Sequence, residues 1–160
     1  QGLSFANGVA LAARMQGLDL RVYCLLGDGE TQEGQVWEAA RTTARQCLTQ
    51  VVGLIDRNGL KAMDTSYCDA EMPALAARWA AFGWRVREID GHDMAQIVAA
   101  LDWATAPSTQ PAMILARTIK GKGVSFMENV PDYHNAALTP AQIEQALADL
   151  QAHLAALAEG

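Results

Sequence analysis

The chain has 160 residues, 51% hydrophobic and 19% charged, with 12 basic against 18 acidic side chains and a formal net charge of −6. That balance excludes a protein built to hold nucleic-acid duplexes or anionic membrane surfaces, which needs clustered Lys and Arg, while the length allows one self-sufficient core. Cys24, Cys47 and Cys68 are odd in number and never form a Cys-x-x-Cys pair, which excludes a disulfide framework and a zinc site and points to a reducing, cytoplasmic setting.

Residues 2–17 read as a helix, with Leu3, Ala6, Val9, Ala10 and Ala13 on one face. A helix starting this early, with no initiator Met before it, reads as a chain that begins in mid-domain. Four short apolar runs without helical period, each ending in turn residues, are predicted strands: 21–27, 51–56, 84–90 and 112–118. Between them the periodicity predicts helices over 31–48, where Val36, Trp37, Ala40, Ala44, Cys47 and Leu48 recur every three or four positions, and over 72–82 and 93–105. This alternation predicts an α/β fold, a mostly parallel sheet with flanking helices, whose ligand sits outside the carboxyl ends of the strands. A last helix starts at Thr139-Pro140-Ala141-Gln142, with Thr as N-cap, Pro at the first helical position and Gln closing a capping box. Its stripe of Ile143, Leu147, Leu150, Leu154 and Leu157 is a docking face for the domain or for a partner.

Chemistry concentrates at the end of the first strand, in Gly27-Asp28-Gly29-Glu30. The glycines allow a tight turn and close approach of a ligand, and the helix start beyond offers free N–H groups suited to a phosphate. Asp28 would repel a phosphate unless a hard divalent cation lay between them. Such a cation needs further oxygen ligands, and Asn58-Gly59, thirty residues after Asp28 and just past the second strand, supplies one in Asn58. The turn at Gly59 also lets the Leu60 backbone carbonyl face the same ion. Either piece alone is an ordinary turn; their placement on successive strand ends is what points to a site.

Gly27-Asp28-Gly29 with Asn58 resembles the thiamine diphosphate motif, and Gly27 to Gly34, Gly91-His92-Asp93 and Thr118-Ile119-Lys120-Gly121-Lys122-Gly123 resemble the transketolase family, especially the N-terminal subunit of split transketolases. The resemblance implies that residues 1–138 are the C-terminal portion of a thiamine diphosphate-binding domain, incomplete at its N-terminus, and that 139–160 are an amphipathic helix packing on the domain or partner. It implies that Asp28, Asn58 and the Leu60 carbonyl hold Mg²⁺ (or Ca²⁺ or Mn²⁺), and that Gly29 contacts the diphosphate. Lys120 lies near the cofactor, and His134 reaches diphosphate and substrate as the candidate catalytic residue. Glu33 matches an acidic residue of the subunit interface. His92 and Asp93 read as a loop and helix cap outside the site.

The implied activity is transfer of a two-carbon ketol unit between sugar phosphates. It requires a complementary subunit carrying the pyrimidine-binding domain, in a dimer of the two-part enzyme, because no segment here matches the glutamate that activates the aminopyrimidine ring. Two departures from the family pattern bear on substrate: Asn135 follows His134 where Gly is usual, and Ala62-Met63-Asp64-Thr65 replaces an Asp-Gly motif. They leave room for an apiose-type, sulfosugar or secondary-metabolic relative. The competing readings are another thiamine diphosphate subunit, of 2-oxoacid dehydrogenase α type or deoxyxylulose phosphate synthase type, and a non-catalytic scaffold. A dinucleotide-binding module is disfavoured because no Gly-x-Gly-x-x-Gly follows a strand.

Overall fold

The computed structural model describes residues 1–60 and 71–158. The departure at 62–65 and Cys68 lie outside the described residues, as does the side chain of Leu157. In chain order the elements are α1 (Gly2–Gln16), β1 (Val22–Gly27), α2 (Gly34–Arg45), β2 (Val51–Arg57), α3 (Glu71–Ala81), β3 (Arg85–Asp90), α4 (Met94–Thr105), β4 (Ala112–Arg117) and α5 (Pro140–Ala158), with 3-10 turns at Gly29–Gln32 and Pro131–His134. The four strands form one sheet in the order β1-β2-β4-β3, and every pairing is parallel.

The order follows from strand composition. β4, Ala-Met-Ile-Leu-Ala-Arg, is buried over its first four residues and takes an interior place. β3, Arg-Val-Arg-Glu-Ile-Asp, carries four charged side chains in six and lies at an edge, where charged residues reach solvent. One face of the sheet is covered by α1, α2 and α3, around Leu3, Leu26, Val36, Ile55, Leu75, Trp79 and Leu115. The other is covered by α4 over β2, β4 and β3, through Ala100 and Ala104 on Val52, Ile89 and Ile114, while Tyr23 and Leu25 of β1 stay exposed on it. Fully buried aliphatic side chains such as Ile55 and Leu115 contribute about 1.5–3 kcal/mol each.

Most predicted boundaries hold within a residue or two, but the helix expected over 31–48 is shorter. Its beginning is a 3-10 turn closed by Asp28, whose carbonyl accepts from the Thr31 hydroxyl at 2.6 Å and the Thr31 N–H at 3.1 Å. Glu33 is then extended (φ −73°, ψ 126°) and serves as the N-cap residue of α2. At the far end Cys47 takes a left-handed backbone (φ 50°), so the chain leaves the helix and Leu48, still fully buried, packs from outside it. Sequence periodicity runs through both breaks because it sees which residues are buried and not the hydrogen bonds that stop the helix.

Two predicted caps are present as drawn. Asp93 accepts from the N–H groups of Ala95 and Gln96 at 2.9 and 3.1 Å, and Thr139 and Gln142 bond each other's backbone N–H groups at 3.3 and 2.9 Å. On α5 the predicted stripe stays at the surface: Ile143, Leu147, Leu150 and Leu154 are 40–66% exposed. The helix is held by polar contacts instead, Asp149 to the Ser125 N–H and hydroxyl at 2.8 and 2.7 Å, and Gln142 to the Tyr133 hydroxyl at 3.1 Å. Among the described residues no helix is long and apolar enough to cross a membrane.

Candidate functional site at the carboxyl edge of the sheet

Parallel pairing brings the ends of β1, β2 and β4 to one edge. Gly27 is opposite Asp56 in the β1–β2 ladder, and the ladder continues one step as the Asp28 N–H donates to the Asp56 carbonyl at 3.1 Å. Asp28 is therefore rooted in the sheet, and only 1% of it is exposed. Its Oδ1 accepts from the Gly29 N–H at 2.7 Å and its Oδ2 from the Gly59 N–H at 2.6 Å. The second bond joins the two loops that the sequence paired by spacing. It depends on Gly59, whose φ of 74° aims that N–H across the gap without a Cβ penalty.

Asn58 is fixed at both ends of its amide. Oδ1 accepts from the Leu60 N–H at 2.9 Å, and Nδ2 donates to Asp56 Oδ2 at 2.9 Å. Asp56 Oδ1 in turn accepts from the Thr118 hydroxyl at the end of β4, and the Thr118 N–H donates to the Arg57 carbonyl at 3.2 Å. Asp56 is thus the hub that sets the orientation of Asn58 and ties β4's exit to it. Sequence reasoning missed this role. The signal that could have found it is a carboxylate closing an otherwise apolar strand two residues before Asn58, beside a hydroxyl at the end of another strand.

Asp28, Gly29, Asn58, Leu60, Lys120 and His134, the six residues proposed from sequence, line one open cleft of about 500 Å³, joined by Glu33. Lys120 is carried there by the loop after β4, where its carbonyl accepts from the Asn129 N–H at 3.0 Å. His134 ends the second 3-10 turn, which is steadied by Tyr133 packing edge-on against Phe126 at 5.5 Å. His92 and Asp93 stay out of the cleft, as expected. Burial pushes the Cys24 thiol up and Glu30 adds to this, so Cys24, buried in the strand beneath, is not an activated nucleophile.

Asp28, Glu30, Glu33 and Asp56 line the cleft with Lys120 and His134, an excess of carboxylates that suits a cation before an anion. Among the described residues no three His, Cys, Asp or Glu side chains are grouped to hold a metal. Oxygen donors of mixed type line the cleft instead, the Asp28 and Asp56 carboxylates beside the Asn58 amide. That donor set fits a hard ion such as Mg²⁺ or Ca²⁺ and not zinc or copper.

An all-parallel, helix-covered sheet with its cleft outside the carboxyl ends of the strands defines a cofactor- or substrate-binding α/β domain. Comparison with known proteins makes the class specific. Residues 1–154 match the family "transketolase, thiamine diphosphate binding domain", and the chain belongs to that family. It is 40% identical over 151 residues to the 6-deoxy-6-sulfo-D-fructose transketolase subunit SqwG of Clostridium sp., covering 94% of this chain and 55% of that one. It is 36% identical over 149 residues to an apulose-4-phosphate transketolase subunit of Phocaeicola vulgatus, covering 93% and 53% respectively. Transketolase from Campylobacter jejuni superposes with a TM-score of 0.84 at 29% identity, over 94% of this chain and 24% of that one. The chain spans about half the length of the two curated subunits. The cofactor of the family domain is thiamine diphosphate, and the oxygen donors of the cleft beside the open turn at Gly59 are compatible with a cation-bridged diphosphate.

Proposed function

We propose that this chain supplies the diphosphate-binding half of a transketolase-type enzyme, which transfers a two-carbon ketol unit from a ketose donor to an aldose acceptor, sugar phosphates being the substrate class. The observation that carries the reading is the convergence of Asp28, Asn58, Lys120 and His134, from the three connections that follow β1, β2 and β4, on one cleft in a chain of this family. When bound, thiamine diphosphate supplies the carbon nucleophile and electron sink for breaking and making a carbon–carbon bond beside a carbonyl.

The chain's own residues hold, orient and move protons. Asp28, the Asn58 Oδ1 and the Leu60 carbonyl hold the divalent cation, Mg²⁺ in the first instance and Ca²⁺ or Mn²⁺ as hard substitutes. Gly29 leaves the turn open to the diphosphate, and Lys120 sets a positive charge against it. His134 holds a hydrogen bond, or moves a proton through its ring nitrogen, at a substrate hydroxyl. Glu33, at the lip of the cleft, faces a second subunit.

The exposed stripe of α5 supports a further body packed on that helix; we assign it to a complementary subunit carrying the pyrimidine-binding domain, in a dimer of the two-part enzyme, and place the assembly in the cytoplasm. The names of the two related subunits favour modified ketoses as donors, sulfo- or branched-chain types, over ordinary pentose phosphates.

The test is to purify the protein with its companion subunit, then to assay ketol transfer from sulfofructose-, apulose- and xylulose-type donors beside 2-oxoacid decarboxylation. Mg²⁺-dependent ketol transfer by the assembly alone is expected. Decarboxylation without transfer would defeat the reaction assignment, and transfer by the isolated chain would defeat the need for a partner.

A further inference from the structure

Gly91-His92-Asp93 does more than turn the chain into α4. Asp93 caps that helix, but His92 faces the other way, and its Nε2 accepts a hydrogen bond from the Ile119 N–H at 2.8 Å. The role requires an unprotonated Nε2. Ile119 lies between Thr118, which is tied to Asp56 and Arg57, and Lys120, whose carbonyl is tied to Asn129. The three-residue segment that delivers Lys120 to the cleft is therefore clamped at every residue, and the middle clamp is a side chain from the far edge of the sheet.

Gly91 makes that reach feasible. Its N–H donates to the Arg117 carbonyl at 2.7 Å, and a Cβ at this position would lie 2.5 Å from Thr118 Cγ2 and 3.0 Å from the Arg117 carbonyl oxygen. A bare backbone lets the β3–α4 turn press flat against the exit of β4. Asp90, Arg117 and Lys122 surround His92 in a second, smaller hollow, and Asp90 holds the His92 backbone N–H at 2.9 Å. These contacts fix where the ring stands before any ligand arrives.

We infer that His92 is a positioning residue for the cofactor cleft: through the Ile119 N–H it sets the backbone that presents Lys120. The inference rests on the proposed role of Lys120 beside the diphosphate. Its test is a double-mutant cycle read as the dissociation constant of thiamine diphosphate with Mg²⁺, by tryptophan fluorescence, on the full protein with its companion subunit. His92→Leu is expected to weaken binding about fivefold, the scale of one lost hydrogen bond. His92→Gln, which keeps an acceptor near the same place, is expected to restore most of it. In a Lys120→Ala background His92→Leu is expected to have no further effect, and amide exchange at Ile119 should rise in His92→Leu while the strands stay protected. An equal loss with and without Lys120, or none in either background, overturns the inference. Wild-type protein that fails to bind the cofactor defeats instead the reading of the cleft.

Discussion

Asp56 tests the site's internal logic most sharply, because alanine and asparagine there should behave differently. Its carboxylate accepts two hydrogen bonds, from Asn58 Nδ2 at 2.9 Å and from the Thr118 hydroxyl, and the residue is half-buried. A hydrogen bond to a charged acceptor contributes about 1.5–3 kcal/mol, the lower end applying at partial exposure. Removing both, less the relief of repulsion between Asp56 and nearby Asp28, gives about 2 kcal/mol for Asp56→Ala, or a fall in Tm of roughly 4–8 °C for a chain of this size. Asn58 keeps its bond from the Leu60 N–H and loses the other, so cofactor binding should weaken by about one hydrogen bond, roughly tenfold.

Asparagine is another matter. Its oxygen can accept from Asn58 while its NH₂ donates to the Thr118 hydroxyl, which accepts as readily as it donates. Asp56→Asn should therefore bind thiamine diphosphate within about threefold of wild type, on the same hydrogen-bond scale. The assay is a Mg²⁺-dependent cofactor titration beside a thermal melt. If Asp56→Asn proved as damaging as Asp56→Ala, the carboxylate's charge and not its hydrogen bonding would be what matters. If Asp56→Ala bound normally, the orientation of Asn58 would not matter at all.

Gly91→Ala should destabilise the fold by about 1–3 kcal/mol, because its Cβ meets Thr118 Cγ2 and a backbone carbonyl with no room to yield; an unchanged melting temperature would count against this packing. Two bonds from Ser125 hold the Asp149 carboxyl below the usual carboxylate range, so its contribution is complete above the unfolded value and is lost as pH falls through the lower folded one. Acid titration followed by amide exchange should accordingly show α5 loosening before the sheet, and Asp149→Asn should remove that early step. Replacing Leu147 and Leu154 by Lys should leave the chain's own melting temperature unchanged, since both side chains are exposed, yet weaken association with the companion subunit in sedimentation measurements.

Local signals carried much of this structure. The Thr139 capping box, the Asp93 cap and the apolar runs of the strands depend on neighbours a few residues away, and sequence shows neighbours. The pairing of Asp28 with Asn58 was legible because one β-α-β crossover fixes their separation, and the Asp28–Gly59 bond is what that separation produces. The helix boundaries at Glu33 and Cys47 were not legible, because hydrogen bonds stop the helix while burial continues at Leu48. Asp56 was missed for a different reason: its two partners come from two loops, and Thr118 is 62 residues away in sequence. The place of β4 inside the sheet could have been read from its uninterrupted apolar start beside the four charged side chains of β3.

The ladder between β1, β2 and β4 also constrains folding. Gly27 is opposite Asp56, Asp56 is opposite Ala116, and Arg57 is opposite Arg117, so the cleft is assembled from adjacent rungs. A slip of one rung anywhere would turn the following residues to the opposite face of the sheet and scatter Asp28, Asn58 and Thr118. A misregistered chain could bury nearly as much apolar surface and still have no place for a diphosphate. Cofactor at a hundred times its dissociation constant would add about 2.7 kcal/mol to the correctly paired form alone. Thiamine diphosphate would then act during assembly as a proofreader of strand register.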